Sequence, residues 1–79
     1  MKLSKVAGKR VQELLFKTGM TQYRLGKITC LNEKTLTDLI KGRTSDVNLS
    51  TIFYIAKAFN MKLSEFFEDE KFDHEDVEG

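Results

Sequence analysis

The sequence predicts an all-α domain of five helices. The chain has no proline and only five glycines among 79 residues, which favours helices over a fold of strands and turns. Apolar residues recur at helical spacings, and Ser, Thr, Asn and Gly stand where helices would begin and end. We expect one domain over residues 1–70 and an acidic tail over residues 71–79.

The first two helices follow one another closely. The first is predicted over residues 5–18, with Ser4 as its N-cap and Gly19 as the left-handed residue that ends it. Thr21 is predicted to cap the second helix, over residues 22–29. Within that helix Leu25 faces inward, and the neighbouring Gly26 leaves room for the close approach of another helix.

The third helix is predicted over residues 33–41, with Asn32 as its N-cap and Gly42 at its end. On a helical wheel, its apolar and polar side chains fall on opposite sides. The apolar residues are Leu36, Leu39 and Ile40; the polar ones are Lys34, Thr37, Asp38 and Lys41, with Glu33 and Thr35 at the edges. Such polar groups can hydrogen-bond to base edges or to phosphate in the major groove of DNA. An ordinary solvated face, with an i,i+4 pair between Lys34 and Asp38, explains the same pattern.

Two further helices precede the tail. The fourth is predicted over residues 49–59, capped by Asn48, and a fifth over residues 63–70 has no clear cap. No periodic apolar face continues beyond them, so we expect residues 71–79 to be mostly disordered.

The charge of the chain is strongly asymmetric. Residues 1–64 hold 12 Lys or Arg and 4 Asp or Glu, a net charge of +8, whereas residues 65–79 hold 1 Lys and 8 Asp or Glu, a net charge of −7. A basic body suits a polyanionic partner. With one cysteine, Cys30, and one histidine, His74, the chain offers neither a disulfide nor a Cys/His metal site. We find no catalytic motif, so we expect no enzyme, no cofactor and no metal. No segment has the length of a membrane span or the pattern of a signal peptide, and we expect a cytoplasmic protein.

A series of short motifs with fixed spacing resembles the phage repressor/Cro family of helix-turn-helix DNA-binding domains, also called Xre-type. The motifs are Gly8-Lys9-Arg10-Val11-Gln12-Glu13-Leu14, Gly19-Met20-Thr21-Gln22, Leu25-Gly26, Leu31-Asn32-Glu33-Lys34-Thr35-Leu36, Leu39-Ile40-Lys41-Gly42, Leu49-Ser50-Thr51-Ile52, Ile55-Ala56-Lys57-Ala58-Phe59 and Leu63-Ser64-Glu65-Phe66-Phe67. The resemblance implies a lambda-repressor-like fold. It also implies a repressor-like regulator that binds double-stranded DNA, as a homodimer on a palindromic operator, in the nucleoid.

The resemblance also implies which residues contact DNA. Gln22 would contact backbone phosphate and brace the third helix. Base-reading or adjacent positions fall on the third helix, and further contacts fall at its end and in the loop that follows. These residues are Glu33, Lys34, Thr35, Thr37, Asp38, Lys41, Arg43, Thr44 and Asn48. Simple capping is a compatible role for Gln22 and Asn48.

Two positions depart from the family pattern. Many relatives pair an Arg at the position of Leu15 with a Glu at the position of Ile40, and here both residues are apolar. We therefore predict that Leu15 contacts Ile40. Cys30 stands where relatives often have a glycine with positive φ, so the turn is expected to be strained or shifted. We favour a half-buried structural cysteine over a redox switch.

Several large apolar residues fall outside the predicted core faces, namely Phe16, Ile28, Tyr54 and Phe72. Relatives often dimerise through their C-terminal helices, which makes Tyr54, Phe66 and Phe67 candidates for a two-fold interface. Alternatively, Phe66 and Phe67 close the small core, or one of them turns inward and the other outward.

The acidic tail and the surplus aromatic residues leave a second function open. The tail is either a solvated segment, or it folds back on the basic face or binds another protein. The alternative function is a protein-interaction module, such as an antitoxin that neutralises a partner and binds DNA secondarily.

Overall fold

The computed structural model describes residues 1–79 as an all-α fold. Its elements are α1 (Leu3–Thr18), α2 (Gln22–Thr29), α3 (Glu33–Ile40), α4 (Leu49–Ala58), α5 (Leu63–Phe67) and a closing 3₁₀ helix, Glu70–Asp73. The only strand-like pairing is an isolated bridge between Lys2 and Glu78. The predicted fold class is therefore confirmed. None of the helices combines the length and the apolar character that a membrane crossing requires.

The helix α1 begins at Leu3, two residues before the predicted start, and Ser4 is not its N-cap. Lys2 takes the N-cap position. Ser4 is buried in the first turn, where its Oγ donates to the backbone oxygen of Thr44 at 2.9 Å. The prediction failed because the partner of this hydroxyl lies in a distant loop. The end of α1 agrees with the prediction, since Gly19 has a φ of 72°.

The helices α2 and α3 begin at the residues that the sequence predicts. The side chain of Thr21 accepts a hydrogen bond from the backbone N–H of Arg24 at 3.1 Å. The side chain of Asn32 accepts one from the N–H of Lys34 at 2.8 Å. Each bond satisfies a backbone donor that the helix itself leaves unpaired.

The helix α4 follows Asn48, which occupies the predicted N-cap position. Its side chain bonds to the hydroxyl of Ser50 at 3.3 Å rather than to a backbone N–H. The chain turns after α4 at Asn60, whose φ of 58° fits the predicted helix stop.

The helix α5 is shorter than predicted, because it ends at Phe67 instead of residue 70. Its start is stabilised by Glu65, whose carboxylate accepts a hydrogen bond from the backbone N–H of Lys62 at 2.9 Å. This bond supplies the missing cap from inside the helix.

The helices α1 and α3 pack with their backbones in close contact at Gly8. A Cβ atom at Gly8 would lie 2.1 Å from the backbone oxygen of Leu39, so only glycine fits there. Gly26, which we expected to allow such an approach, is less crowded, since its Cβ would lie 3.4 Å from the Leu36 side chain. One turn beyond Gly8, the Gln12 amide donates to the backbone oxygen of Ile40.

Leu15 and Ile40 are both half-buried against the same core. Their direct contact, which would replace an ion pair, stays a prediction.

The core is a single apolar cluster drawn from α1 to α5. Its buried residues are Ala7, Val11, Leu14, Leu25, Leu36, Leu39, Ile52, Ile55, Ala56 and Phe66. Phe66 is fully buried, with its ring centroid 5.2 Å from that of Phe67 and 6.1 Å from that of Phe72. Phe66 therefore closes the core, and we withdraw it as an interface candidate. Phe72, expected outside the core, is half-buried in this aromatic group, whereas Tyr54 is exposed as expected.

The C-terminal segment lies against the start of α1, whereas the sequence predicts mostly disorder over residues 71–79. The N–H of Leu3 donates to the Glu78 oxygen at 2.7 Å, and the N–H of Glu78 donates to the Met1 oxygen at 2.9 Å. The terminal amino group donates to the Asp76 oxygen at 2.6 Å. These partners are far apart in the sequence, so periodicity within the tail gives no sign of them.

Four charged side chains join the segment after α5 to α1. The Arg10 guanidinium is buried, and it donates to the backbone oxygens of Phe66 at 2.8 Å and Glu65 at 3.0 Å. It also pairs with the carboxylates of Glu13 at 3.0 Å and of a residue beyond α5, Asp69, at 3.5 Å. Buried charge is tolerated here because each group has partners.

Lys71 completes this charged group. Its ammonium pairs with Glu13 and, at 3.4 Å, with Asp69. The hydrogen bond from Lys71 lowers the pKa of Glu13, and the same bond raises the pKa of Lys71. The pKa of Asp69 is lowered mainly by the hydrogen bond that it accepts from the Lys71 backbone N–H.

Candidate nucleic-acid interface

The outer face of α3 is polar and accessible. Leu36 and Leu39 are buried beneath it. Of the ten residues that the resemblance assigns to DNA contact, six are exposed and four are half-buried. The exposed residues are Glu33, Lys34, Thr35, Lys41, Arg43 and Asn48; the half-buried ones are Gln22, Thr37, Asp38 and Thr44. The helix therefore packs on the side that the helical wheel predicts and offers its polar side to solvent.

The first residue of α2 is joined to the middle of α3 by a hydrogen bond. The side-chain amide of Gln22 donates to the hydroxyl of Thr37 at 2.8 Å. The backbone of Gln22 lies in the first turn of α2, which the Thr21 cap stabilises. The expectation that Gln22 braces the third helix thus has a geometric counterpart.

The exposed face of α3 carries an ion pair between Lys34 and Asp38. The ammonium lies 2.8 Å from the carboxylate, and the side chains are 82% and 25% exposed. The pair is the one that an ordinary solvated face would form. It also leaves the Lys34 ammonium accessible, because a lysine has three donors and only one is used here.

The turn between α2 and α3 begins at Cys30. Its backbone has a φ of 60°, the left-handed conformation inferred from the glycine of relatives. Its N–H donates to the Gly26 oxygen at 2.9 Å. Its side chain is exposed, so the expected half-buried cysteine is wrong. The residue was misplaced because burial of a free cysteine is only a general tendency.

The loop after α3 is fixed at two points. The Arg43 N–H donates to the Asp38 backbone oxygen at 2.8 Å. Next to it, the Thr44 oxygen accepts the bond from Ser4. Gly42 lies between α3 and this loop with a φ of 72°, which confirms the predicted helix end.

A shallow polar depression connects α3 to the loop. No hydrophobic residue lines it, and its residues are Asn32, Glu33, Lys34, Thr37, Asp38 and Arg43. Thr35, Lys41, Thr44 and Asn48 lie outside it. Asn32 was predicted only as a helix cap. Its position directly before the polar face of α3 could have identified it as a candidate contact residue.

A second depression lies between α2 and α3. Gln22 and Glu33 line it together with Tyr23 and Lys27, two residues that were not among the predicted contacts. The Lys27 ammonium lies 5.3 Å from the centroid of the Tyr23 ring, which is 74% exposed. Their i,i+4 spacing on α2, next to Gln22, could have indicated from the sequence that these two side chains lie together beside the candidate interface.

The site thus consists of two short helices, α2 and α3, joined by a fixed turn, and α3 carries an accessible polar face. Residues 10–71 match the family model of the Cro/C1-type HTH DNA-binding domain. The chain belongs to this family. No curated protein and no solved structure matches the chain.

Membership in the Cro/C1-type family supports DNA binding by a regulator. It also accounts for the order of the helices, with α2 and α3 as the helix-turn-helix pair. No group of three or more His, Cys, Asp or Glu side chains is placed to hold a metal ion.

Proposed function

We propose that the chain is a sequence-specific transcriptional regulator, repressor-like, whose helix α3 enters the major groove of DNA. The observation that carries the proposal is the hydrogen bond between Gln22 and Thr37 beneath an accessible polar face. This bond holds α3, which would read bases, against α2, which would face phosphate. A base contact needs such fixed orientation, because each donor must meet one edge of one base.

The base-reading residues in this proposal lie on α3. Lys34 donates to guanine or to phosphate, and Thr37 contacts a thymine methyl group or a phosphate. Asp38 accepts from cytosine N4. The carboxylates of Glu33 and Asp38 repel phosphate, so they serve selectivity rather than affinity. Thr35 lies at the edge of the same face.

The phosphate contacts surround this face. Gln22 lies at the start of α2, where helix N–H groups favour an anion. Lys41, Arg43, Thr44 and Asn48 lie at the end of α3 and along the loop to α4. Such contacts fix the position of the protein on the duplex without reading sequence.

We propose a homodimer on a palindromic operator in the bacterial nucleoid. Tyr54 is 52% exposed and Phe67 is half-buried, so both remain interface candidates. On α4, the Tyr54 ring packs against that of Phe53, with centroids 5.6 Å apart, and Phe53 and Leu49 are 42% and 63% exposed. Two-fold symmetry places the half-sites about 34 Å apart, one turn of DNA.

The same exposed side chains on α4 support the second candidate, a protein-interaction module such as an antitoxin. Their apolar surface is available to a different protein as well as to a second copy of this chain. The two functions predict different outcomes in one experiment.

That experiment is selection of bound sequences from random DNA at near-physiological salt. The regulator hypothesis predicts enrichment of a palindromic motif with half-sites one helical turn apart. Absence of enrichment, together with co-purification of a stoichiometric small protein, would instead support the interaction module.

A further inference from the structure

The first turn of α1 lies against the loop that follows α3. The aliphatic stem of Lys5 covers Gly42: a Cβ built on that glycine would lie 3.0 Å from Lys5 Cγ and 3.3 Å from Cε. Its neighbour Ser4 bonds to the Thr44 oxygen at 2.9 Å. These two contacts hold the first turn of α1 and the Lys5 stem against the loop.

On the side that faces the loop, Lys5 has basic neighbours without ion pairs, whereas the acidic C-terminal segment bonds to Met1 and Leu3 at the start of α1. Lys5, Lys41 and Arg43 are all exposed, and none of them takes part in the ion pairs of the structure. The one carboxylate of residues 41–48 is that of Asp46, whose oxygen accepts a hydrogen bond from the next N–H, 3.0 Å away. The cations near Lys5 are therefore free to bind an external anion.

This basic surface continues from the proposed DNA-binding face. Arg43 lines the polar depression together with four residues of α3, and Lys5 packs over Gly42, the residue before Arg43. A helix in the major groove, which is about 12 Å wide, has the phosphate backbones on both sides of it. Cations beyond the end of α3 would then face a backbone rather than base edges.

We propose that Lys5 binds a DNA backbone phosphate, so that the first turn of α1 extends the phosphate-contacting surface beyond the loop. The inference rests on the proposed function, because it uses the placement of α3 in the groove. It adds an element, α1, that neither the polar face nor the loop residues include. Ser4 acts as a positioning residue, since it holds the loop to the turn that carries Lys5.

The test is the salt dependence of DNA affinity for Lys5→Gln in the full chain. Loss of one phosphate contact lowers the slope of log affinity against log salt concentration by about 0.9 per bound protomer. We expect this loss on the selected operator and on random DNA alike, with their affinity ratio unchanged. Lys5→Arg should keep the original slope, because it keeps the charge.

Lys62→Gln is the matched control. Lys62 is exposed and unpaired before α5, and its nearest depression is lined by residues of α4, α5 and the turn between them. The Lys62→Gln variant should show the same slope of log affinity against log salt concentration as the unmodified chain. Thermal unfolding of both variants checks that each remains folded.

An unchanged slope for Lys5→Gln would overturn the phosphate assignment, and a changed operator-to-random ratio would replace it with a base contact. Failure of the proposed function has a different signature, because the unmodified chain itself would then bind without sequence preference. In that case the slope on random DNA still decides the role of Lys5. A chain that binds no DNA at all would overturn both proposals.

Discussion

Cys30 shows at the scale of one residue how a backbone conformation can be predicted while its surroundings cannot. Its position between two capped helices and its place in the family pattern indicate a left-handed residue, and its φ is 60°. Exposure of the thiol depends on how α2 and α3 pack, which no local pattern encodes.

Replacing Cys30 with glycine should stabilise the fold. A left-handed conformation costs a residue with a Cβ about 1–2 kcal/mol, and the exposed thiol offers little packing in return. We expect Cys30→Gly to raise the free energy of unfolding by about 0.5–1 kcal/mol in urea denaturation, since part of the gain is offset by the entropy of glycine.

Gly19→Ala is the opposite control. Gly19 has a φ of 72°, and no atom lies within 4 Å of the position that a Cβ would take, so alanine would add strain without a clash. It should lower the free energy of unfolding by a similar amount. A Cys30→Gly variant less stable than the parent would show that the turn is not strained.

At the scale of the helices, most boundaries could be predicted because caps are local. Thr21, Asn32 and Gly19 lie within one turn of the backbone groups that they serve. Ser4 was misassigned because its hydroxyl has a partner 40 residues away, a distance that a sequence window does not cover. Gly8 was overlooked for a similar reason, although a glycine inside a helix often has a packing role.

Gly8→Ala should separate α1 from α3. The added methyl group would overlap the backbone oxygen of Leu39, which cannot rotate away as a side chain could. We expect a loss of about 2 kcal/mol in the free energy of unfolding, measured by urea denaturation. Because α3 moves with Leu39, DNA affinity should fall as well.

Gly26→Ala provides the comparison, because it adds the same methyl group to a helix at an ordinary contact distance of 3.4 Å. Alanine is the better helix former by up to about 1 kcal/mol, so this variant should be as stable as the parent or more so. Equal losses from the two substitutions would contradict the close packing at Gly8.

At the scale of the whole molecule, the acidic C-terminal segment differs most from the sequence-based expectation. Its composition is that of a disordered tail. Its attachment depends on pairs such as Lys71 with Glu13 and Glu78 with Leu3, which only the folded chain brings together. The candidate interface was more predictable, because one amphipathic helix carries most of it.

The attachment of this segment should make stability depend on pH. The pKa values of Glu13 and Asp69 are lowered in the folded state. Their contribution to the free energy of unfolding is therefore present at neutral pH and is lost as the pH falls through the folded-state pKa values. The pKa of Lys71 is raised, so its contribution is present below its ordinary pKa and is lost as the pH rises through the raised one.

Glu13→Gln removes part of this dependence. In urea denaturation between pH 7 and pH 3, the variant should lose less free energy of unfolding than the parent does. Glu75→Gln changes an exposed carboxylate outside this group and should leave the parent profile intact. Identical profiles for Glu13→Gln and the parent would contradict the link between α1 and the C-terminal segment.

The central claim for the molecule is that α3 reads DNA sequence, and the direct test compares Lys34→Ala with Arg43→Ala. Both affinities are measured on the selected operator and on random DNA at one salt concentration. Lys34→Ala should weaken the binding free energy on the operator by about 1–3 kcal/mol more than on random DNA, because a base contact is lost. Arg43→Ala should weaken both equally. Equal losses on both DNAs from Lys34→Ala would contradict sequence reading by this residue of α3.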